Sequence, residues 1–429
     1  MRMKRYEQYK PTGISWLPEI PAHWDTMRIR GLFEESIEKT VNDSGTLLSL
    51  SQYTGVSLKS EAGKTGMFEA ESTTGYKIVH PGQFVMNIML AWNGSYAVSD
   101  LEGIISPAYC VFDFRIPCVK RYFDYLLRTK IYSGAFRTQS RGIIDSRLRL
   151  YPNKLYSFKA IVPPIEEQKK IVAYLDKKIT LIESCKCQRE RELQTLNELK
   201  QAEIASVVTR GLNPNVPMKD SGIPWIGQIP AHWDLKYLFQ IAREHYISNK
   251  EVHHQNLLSL SYGKIVRKDI NTTDGLLPAS FDTYQIIEPG NIVFRFTDLQ
   301  NDHKSLRVGL TKETGIITSA YVVVEVDQEY ILPEYFYYTL HSFDIKKLFY
   351  SMGGGLRQSL NYNGIRKLNI PIPPIEEQKS IVSFIEEKTN RIETMIRSLE
   401  SEIEHLSEYK QRLISDVVTG QINVQNEQV

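Results

Sequence analysis

The sequence lacks several features that would place it in common protein classes. No stretch approaches the roughly 20 apolar residues of a membrane-spanning helix. The segment Met1–Glu7 lacks the apolar core of a secretory signal peptide. The four cysteines show neither a CxxC pair nor a disulfide spacing. Lys and Arg total 52 and Asp and Glu total 50, and this balance excludes a histone-like polycation or an acidic disordered chain. We therefore expect a soluble, cytoplasmic protein with reduced thiols.

Fragments that resemble enzyme motifs fail on spacing. Gly63-Lys64-Thr65 resembles the end of a phosphate-binding loop, but Leu58 occupies the position of the loop's first glycine. No glycine-rich cofactor loop follows a strand. His253-His254 has no third ligand at metal spacing. His23 and His232 each precede a tryptophan in an apolar block, and we interpret them as packing residues. The sequence predicts no catalytic group, no metal site and no cofactor of its own.

The same blocks occur twice along the chain, 209 or 210 residues apart. The block Gly13–Asp25 returns as Gly222–Asp234, and Pro163–Lys169 returns as Pro373–Lys379. Between the shared blocks the two copies differ, most of all in their loops. Repeats of this kind indicate a tandem duplication. A shared scaffold with two different loop sets is what two similar modules that read two different targets require.

Each copy is predicted to consist of a globular α+β module followed by a long helix. Short β-rich runs such as Phe84–Asn87 alternate with turn signals, and helical patches follow. A Pro-Pro pair with two glutamates just beyond it is typical of a helix N-terminus, and Gly211 and Gly420 stand where the helices should end. The predicted segments are a first globular module over residues 1–162, a helix over 163–210, a linker over 211–217, a second globular module over 218–372, a helix over 373–420 and a tail over 421–429.

Both helices carry a heptad pattern, which predicts that they pair as a coiled coil. Lys186, Arg189, Lys200 and Glu203 interrupt the pattern in the first helix. The three cations among them could pair with glutamates of the other helix or face a partner. Each module joins the start of its own helix, so an antiparallel pair would place the modules at opposite ends, related by a pseudo-two-fold axis. We favour this arrangement because it makes the helices a ruler between two DNA segments, whose half-sites recur every ~34 Å. The predicted seam residues are Val172, Leu175, Ile179, Ile182, Leu193, Leu196, Val382, Ile385, Ile392, Ile396, Leu399, Ile403, Leu406 and Leu413.

Positive charge is concentrated in particular loops rather than spread along the chain. Between Lys120 and Lys159 there are ten basic residues and two acidic ones. Cations bind the phosphates of DNA, and Arg, Asn and Gln read base edges. The loops therefore predict a DNA-contacting face. The candidate residues are Arg137, Gln139, Arg141, Arg147, Arg149, Lys264, Arg267, Arg295, Lys304, Arg307, Arg357 and Gln358.

Taken together, the repeated motifs resemble those of a known family. Each copy opens with Gly-Ile-x-Trp and Ile-Pro-x-x-Trp, at Trp16 and Trp24 and again at Trp225 and Trp233. Each closes on Pro-Pro-x-x-Glu-Gln and a long helix. This arrangement is similar to the specificity subunit of type I restriction-modification systems, and the resemblance covers essentially the whole chain.

The resemblance implies a non-catalytic subunit with two tandem α/β target-recognition domains, separated by two long helices in an antiparallel coiled coil. Each domain would read half of a bipartite, asymmetric sequence in double-stranded DNA. Two modification subunits would methylate adenines with S-adenosylmethionine, and restriction subunits would add an ATP- and Mg-dependent nuclease, so these cofactors would belong to the partners. Two other interpretations stay open: an enzyme acting alone as nuclease or methyltransferase, and an interaction scaffold with no DNA role. An orphan subunit is also compatible with the sequence.

Overall fold

The structure, a computed structural model, describes residues 4–61, 72–142, 147–250, 254–270, 280–297, 299, 306–352 and 360–427. The chain divides into two compact units. Unit 1 comprises Met1–Arg189 and Ser401–Val429, and unit 2 comprises Glu190–Glu400. Each unit therefore contains one globular module, a segment of the first long helix and a segment of the second. Within the described residues, no helix is both long and apolar enough to span a membrane.

The module of unit 1 is built from short strands and small helices before the first long helix. A four-stranded antiparallel sheet has the order β4-β11-β8-β9, and the pairs β1-β2, β3-β12, β5-β6 and β7-β10 surround it. The elements are β1 (Tyr9–Ile14), β2 (Leu17–Pro21), β3 (Asp25–Arg28), α1 (Ile29–Leu32), β4 (Phe33–Glu35), β5 (Leu48–Ser51), β6 (Gly55–Leu58), β7 (Lys77–Val79), β8 (Phe84–Asn87), β9 (Tyr96–Val98), β10 (Gly103–Ile105), β11 (Tyr109–Phe114), α2 (Lys120–Leu127), α3 (Lys130–Gln139), α4 (Pro152–Leu155), β12 (Lys159–Val162) and α5 (Ile165–Arg210).

The module of unit 2 repeats this topology. Its four-stranded sheet has the order β16-β23-β20-β21, and the pairs β13-β14, β15-β24, β17-β18 and β19-β22 correspond one by one to those of unit 1. The elements are β13 (Met218–Asp220), β14 (Gln228–Pro230), β15 (Asp234–Tyr237), β16 (Ala242–Glu244), β17 (Leu258–Ser261), β18 (Lys264–Arg267), β19 (Gln285–Ile287), β20 (Ile292–Phe294), β21 (Val308–Leu310), β22 (Gly315–Ile317), β23 (Val322–Val326), α6 (Pro333–Ile345), α7 (Leu348–Met352), α8 (Tyr362–Ile365), β24 (Asn369–Ile372) and α9 (Ile375–Val418).

The central strand of each sheet is apolar because both of its faces are covered. In β8, Phe84 and Met86 pack into the main core of unit 1, while Val85 points into a second core on the other face. In β20, Phe294 packs into the main core of unit 2, and Val293 packs into a second core on the other face. Since side chains alternate between the faces of a strand, a continuous apolar run of this kind is needed wherever both faces are buried. The predicted α+β fold is confirmed.

The repeated Pro-Pro-x-x-Glu-Gln motif fastens each long helix to its module. The amide of Gln168 is buried; its nitrogen donates to the carbonyl of Pro163 at 2.8 Å, and its oxygen accepts the N–H of Val119 at 2.9 Å. In unit 2, Gln378 donates to Pro373 at 2.9 Å and accepts the N–H of Leu332 at 2.8 Å. A buried amide satisfied on both sides fixes the direction in which the helix leaves its module.

The glutamate of the motif binds the tryptophan of the block that opens each module. The indole of Trp233 donates to Glu377 at 3.1 Å, and His232 lies 2.8 Å from the same oxygen. His23 likewise lies 2.5 Å from Glu167 and keeps half of its side chain exposed. The interpretation of the two histidines as packing residues is therefore wrong. The tryptophans are fully buried, whereas the histidines lie at the surface and pair with a carboxylate.

Within each unit the two helix segments run antiparallel. In unit 1, Glu183 of α5 pairs with Lys410 of α9 at 2.6 Å, and Arg189, further along α5, pairs with Glu402, earlier in α9, at 3.0 Å. In unit 2, Lys200 pairs with Glu393 at 2.5 Å. The end of α5 in that unit lies beside Glu377, near the start of α9. The predicted antiparallel pairing is thus found in each unit.

Candidate functional site

Four of the predicted arginines form an exposed surface in unit 1, which we call the arginine surface: Arg137, Arg141, Arg147 and Arg149. Arg137 lies in the last turn of α3, and its guanidinium stands 5.3 Å from the ring centroid of Trp92. Arg141 and Arg149 exchange two backbone hydrogen bonds, at 3.0 and 2.9 Å, so their side chains leave the chain from neighbouring positions. Gln139, also predicted, is exposed on the same helix end.

The hairpin formed by β5 and β6, hairpin 1, lies next to this surface. A Cβ placed on Gly94 would lie 3.9 Å from the Cβ of Gln52, so the turn that carries Trp92 abuts the tip of hairpin 1. Arg128, which follows α2, donates to the carbonyls of Gln52 at 3.0 Å and Tyr53 at 3.3 Å. These two hydrogen bonds hold the backbone of the tip while the ring of Tyr53 stays 83% exposed.

In unit 2 the corresponding hairpin, hairpin 2, is formed by β17 and β18 and carries two predicted cations. Lys264 begins β18 and is exposed. Arg267 ends it, and its guanidinium makes a bidentate pair with Glu313, with Nε 2.9 Å from Oε1 and 2.8 Å from Oε2. The hydrogen bond from Arg267 holds the pKa of Glu313 below its ordinary value. Arg267 is therefore engaged, although most of its side chain is solvent-accessible.

Arg307 differs from its prediction as a DNA-contacting residue. Its side chain is fully buried. The guanidinium donates to the carbonyl of Thr297 at 3.0 Å and to the hydroxyl of Tyr350 at 3.2 Å, and its backbone N–H donates to Asp344. The prediction is wrong because net charge in a loop does not show which cations face inward. Arg307 braces the interior of unit 2.

The remaining predicted residues of this module divide into two groups. Arg295 is half-buried beside Arg307 and does not belong to an exposed cluster. Lys304, Arg357 and Gln358 lie outside the described residues. In the stretches of the chain that the structure describes, no group of three or more His, Cys, Asp or Glu residues is placed to hold a metal ion.

Helices α2 and α6 each carry a buried aspartate. Asp124 in α2 accepts the N–H of Val98 at 2.9 Å, and burial raises its pKa even though Arg128 lies 3.7 Å away. Asp344, at the end of α6, is fully buried, and burial raises its pKa to about 6. In both cases the cost of desolvating the charged carboxylate raises the pKa by more than the neighbouring arginine lowers it. The two carboxylates belong to the interior and not to an exposed site.

Every predicted seam residue is buried or half-buried in the structure. Leu175, Ile182, Ile385, Ile392 and Leu413 are buried. The other predicted seam residues are half-buried: Val172, Ile179, Leu193, Leu196, Val382, Ile396, Leu399, Ile403 and Leu406. Two of the four charged interruptions are compensated by ion pairs, because Arg189 and Lys200 reach glutamates of α9.

Sequence reasoning overlooked the two hairpin tips. Tyr53 and Tyr262 are the two most exposed residues among the described tyrosines, tryptophans and phenylalanines, at 83% and 75%. A signal was present, because each tyrosine follows a copy of the repeated Leu-Ser-Leu-Ser segment. The candidates taken from the sequence were cations and amides, which leaves out an aromatic residue present in both copies.

Comparison with known proteins relates these features to one family. A sequence model described as the type I restriction modification DNA specificity domain matches residues 308–405. The type I restriction enzyme MjaVIII specificity subunit of Methanocaldococcus jannaschii is 24% identical over 363 residues, which cover 79% of this chain and 80% of that protein. The chain is thus similar to specificity subunits of type I restriction-modification systems, and residues 308–405 match the model of their DNA specificity domain.

Two solved structures and a second curated relative are similar to the chain as well. The putative type I restriction enzyme MjaX specificity subunit of the same organism is 23% identical over 313 residues, covering 71% of this chain and 68% of its own. Among solved structures, a chain from a study of complex assembly and conformational transition in a type I R-M system matches with a TM-score of 0.68 at 14% identity, covering 94% of this chain and 99% of that one. The HsdS subunit from Thermoanaerobacter tengcongensis matches with a TM-score of 0.50 at 15% identity, covering 94% and 98%. At such low identity these two matches support the fold alone.

Proposed function

We propose that this chain is the DNA-reading subunit of a type I restriction-modification complex and recognises a bipartite, asymmetric sequence in double-stranded DNA. It directs adenine methylation by two modification subunits and restriction by partner restriction subunits. The chain itself is non-catalytic, and S-adenosylmethionine, ATP and Mg act on the partner subunits. The complex works in the cytoplasm.

One observation carries this proposal: the two modules share a sheet topology but present different side chains at equivalent places. Hairpin 1 continues from its tip into Gly55-Val56-Ser57-Leu58, and hairpin 2 into Lys264-Ile265-Val266-Arg267. A single target repeated twice would favour the same outward side chains in both modules. Two different sets on one scaffold favour two different half-sites, which is how an asymmetric target is read.

The arginine surface of unit 1 supplies the cations that such a target needs. Its exposed guanidiniums can bind phosphates, which fixes the register of the protein on the duplex, and can reach guanine edges in the major groove. The ring of Trp92 beneath Arg137 orients one of them. Hydrogen bonds from Arg128 keep the neighbouring hairpin in place. The surface therefore presents a fixed arrangement of cations and an aromatic tip to a duplex.

Co-expression with the modification subunit in a methylation-free host, followed by long-read methylome sequencing, tests the proposal. We expect a two-part asymmetric motif with methyladenine in each half. Double substitution of Arg141 and Arg149 by Ala should weaken binding of that motif and lower the salt dependence of binding, because fewer phosphates are neutralised. Double substitution of Lys169 and Lys170, two exposed cations on α5, is the matched control.

Three outcomes would count against the proposal. Unmodified DNA despite an intact purified complex would favour an interaction scaffold or an orphan subunit. Cleavage or methylation of DNA by the isolated chain would favour an enzyme acting alone. Equal loss of binding in the arginine and lysine variants would remove the arginine surface from the DNA face.

A further inference from the structure

The turn of each hairpin carries a tyrosine whose side chain is exposed to solvent. Tyr53 and Tyr262 are 83% and 75% exposed, and both follow strands whose leucines are buried and whose serines are half-exposed. The flanking loops of the two modules differ, yet the exposed ring is present in both. A large aromatic side chain gains little from such exposure in a free protein, since its apolar surface stays in water.

The backbone at each tip is held by a hydrogen bond from the interior, made by a different residue in each module. In unit 1, Arg128 donates to the carbonyls of Gln52 and Tyr53. In unit 2, the hydroxyl of Tyr337, which lies in α6, donates to the carbonyl of Gly263 at 3.1 Å. The backbone that carries each ring is therefore already ordered. A ligand that binds the ring loses less free energy to ordering of the hairpin.

The turn of hairpin 2 makes the presence of tyrosine informative. Tyr262 and Gly263 have φ angles of 46° and 78°, so both residues lie in the left-handed region. Two-residue hairpin turns with positive φ at both positions strongly favour Asn-Gly, Asp-Gly or Gly-Gly. A tyrosine in the first position costs roughly 1–2 kcal/mol of backbone strain. The chain keeps an aromatic residue where asparagine or glycine would be more stable, and this favours a role for the ring outside the fold.

Each tip lies beside candidate DNA-contacting groups of its own module. In unit 1, hairpin 1 abuts the turn of Trp92, against which Arg137 of the arginine surface is stacked. In unit 2, Lys264 follows the tip directly and is exposed. An aromatic ring flanked by cations matches a duplex, because the cations meet phosphates while the ring meets the apolar faces of sugar and base edges.

We propose that Tyr53 and Tyr262 are specificity-determining residues, each packing its ring against deoxyribose and base edges in the half-site read by its own module. The inference rests on the proposed function and deepens it. The phenol hydroxyl can donate or accept one hydrogen bond at a base edge or phosphate. The surroundings of the tips differ, with the neutral Thr54 after one and Lys264 after the other. Two copies of one protein partner would favour the same neighbours at both tips. The different neighbours therefore favour two different DNA half-sites.

The test uses the complex of the full chain with its modification subunit and three fluorescent duplexes. One duplex carries the motif recovered by methylome sequencing, and each of the others has one half of that motif scrambled. The variants are Tyr53→Ala and Tyr262→Asn, asparagine being chosen because it tolerates the left-handed backbone. Tyr151→Ala in unit 1 and Tyr246→Ala in unit 2 are the matched controls, since these tyrosines are also exposed, at 45% and 60%.

We expect each tip variant to bind the intact motif at least about tenfold more weakly than wild type, which corresponds to about 1.4 kcal/mol. The loss should disappear for Tyr53→Ala on one scrambled duplex and for Tyr262→Asn on the other, because a ring cannot lose contacts that scrambling has already removed. The control variants should bind like wild type. Unfolding midpoints equal to wild type would show that the tip variants are folded.

Other results would overturn the inference. Wild-type affinity of both tip variants would do so while leaving the proposed function intact. Loss that is the same on all three duplexes would assign the rings to contacts without sequence information. Loss of the modification subunit on purification would assign them to a protein interface. A wild-type complex that does not prefer the intact motif would overturn the proposed function and the inference together.

Discussion

The indole N–H of Trp24 donates a hydrogen bond to Glu167 at 3.0 Å, joining the block that opens the first module to the first turn of α5. The hydroxyl of Tyr6 donates to the same oxygen at 3.1 Å, and His23 lies 2.5 Å from the other oxygen. One carboxylate thus satisfies three side chains separated from it by more than a hundred residues in sequence. Because Trp24 is fully buried, Glu167 is the acceptor on which the packing of this junction depends.

Glu167→Ala should destabilise unit 1 by about 1–3 kcal/mol, because it leaves a buried indole N–H without an acceptor. Glu167→Gln should recover some of the loss, since its amide oxygen can still accept from Trp24. The neighbouring Glu166, exposed and paired with Lys169 at 2.7 Å, provides the control, and Glu166→Ala should change stability by less than about 0.5 kcal/mol. Urea unfolding followed by tryptophan fluorescence measures all three. Similar midpoints for the two alanine variants would show that the junction does not depend on this acceptor.

The end of α9 in unit 1 provides a second prediction at the same junction. Gly420 has a φ of 74°, and a Cβ there would lie 2.6 Å from Cγ of Pro21 and 3.0 Å from the ring of Trp24. Gly420→Ala should therefore combine left-handed strain of roughly 1–2 kcal/mol with an overpacking cost of about 1–3 kcal/mol. Gly75, with a φ of 83° and nothing within 4 Å, isolates the strain alone. Thermal unfolding should show a larger loss for Gly420→Ala than for Gly75→Ala, and equal losses would rule out the close contact.

The duplication made much of the fold predictable, because motifs repeated at constant spacing report the scaffold directly. The Pro-Pro-x-x-Glu-Gln blocks predicted helix starts, the heptads predicted that the helices pair, and the attachment of each module to the start of its helix favoured the antiparallel direction. The sheet order could not be read in the same way. Its strands are three to six residues long, and β11, for example, pairs with the distant β4 as well as with β8. Non-local pairing of short strands leaves little periodic signal in the sequence.

The candidate site was predicted less well, for two physical reasons. Side-chain type does not reveal direction, so Arg307 was grouped with exposed cations although it is buried against Tyr350. Exposure also depends on the turn that carries a residue. Tyr262 is exposed because its hairpin is held from the interior by Tyr337, which lies 75 positions further along the chain. Contacts over such distances are fixed by the assembled module and not by local sequence.

Asp344 should make the stability of unit 2 depend on pH. Burial raises its pKa to about 6 from an ordinary value of 3.8. Between about pH 4 and 6 the folded protein holds a proton that the unfolded chain has released, so this group's contribution to stability falls as pH rises through that window. Asparagine does not titrate, so Asp344→Asn removes this loss. The free energy of unfolding of Asp344→Asn minus that of wild type should therefore rise by on the order of 2 kcal/mol from pH 4 to pH 7. Urea midpoints at the two pH values measure this gain. Asp327→Asn, at an exposed aspartate of the same module, is the control, and a variant profile parallel to wild type would contradict the prediction.

The pair formed by Lys410 and Glu183 at 2.6 Å should contribute modestly and with the opposite dependence on pH. The hydrogen bond from Lys410 lowers the pKa of Glu183 below its ordinary 4.5, so its contribution is complete above that value and is lost as pH falls through the lowered pKa. Because both side chains are about a third to a half exposed, solvent screening limits their coupling to about 0.5 kcal/mol. A double-mutant cycle of Glu183→Gln and Lys410→Met at pH 7 should yield that coupling. The same cycle at pH 3 should yield a smaller one, and a coupling unchanged by acid would show that the two side chains interact through packing and not through charge.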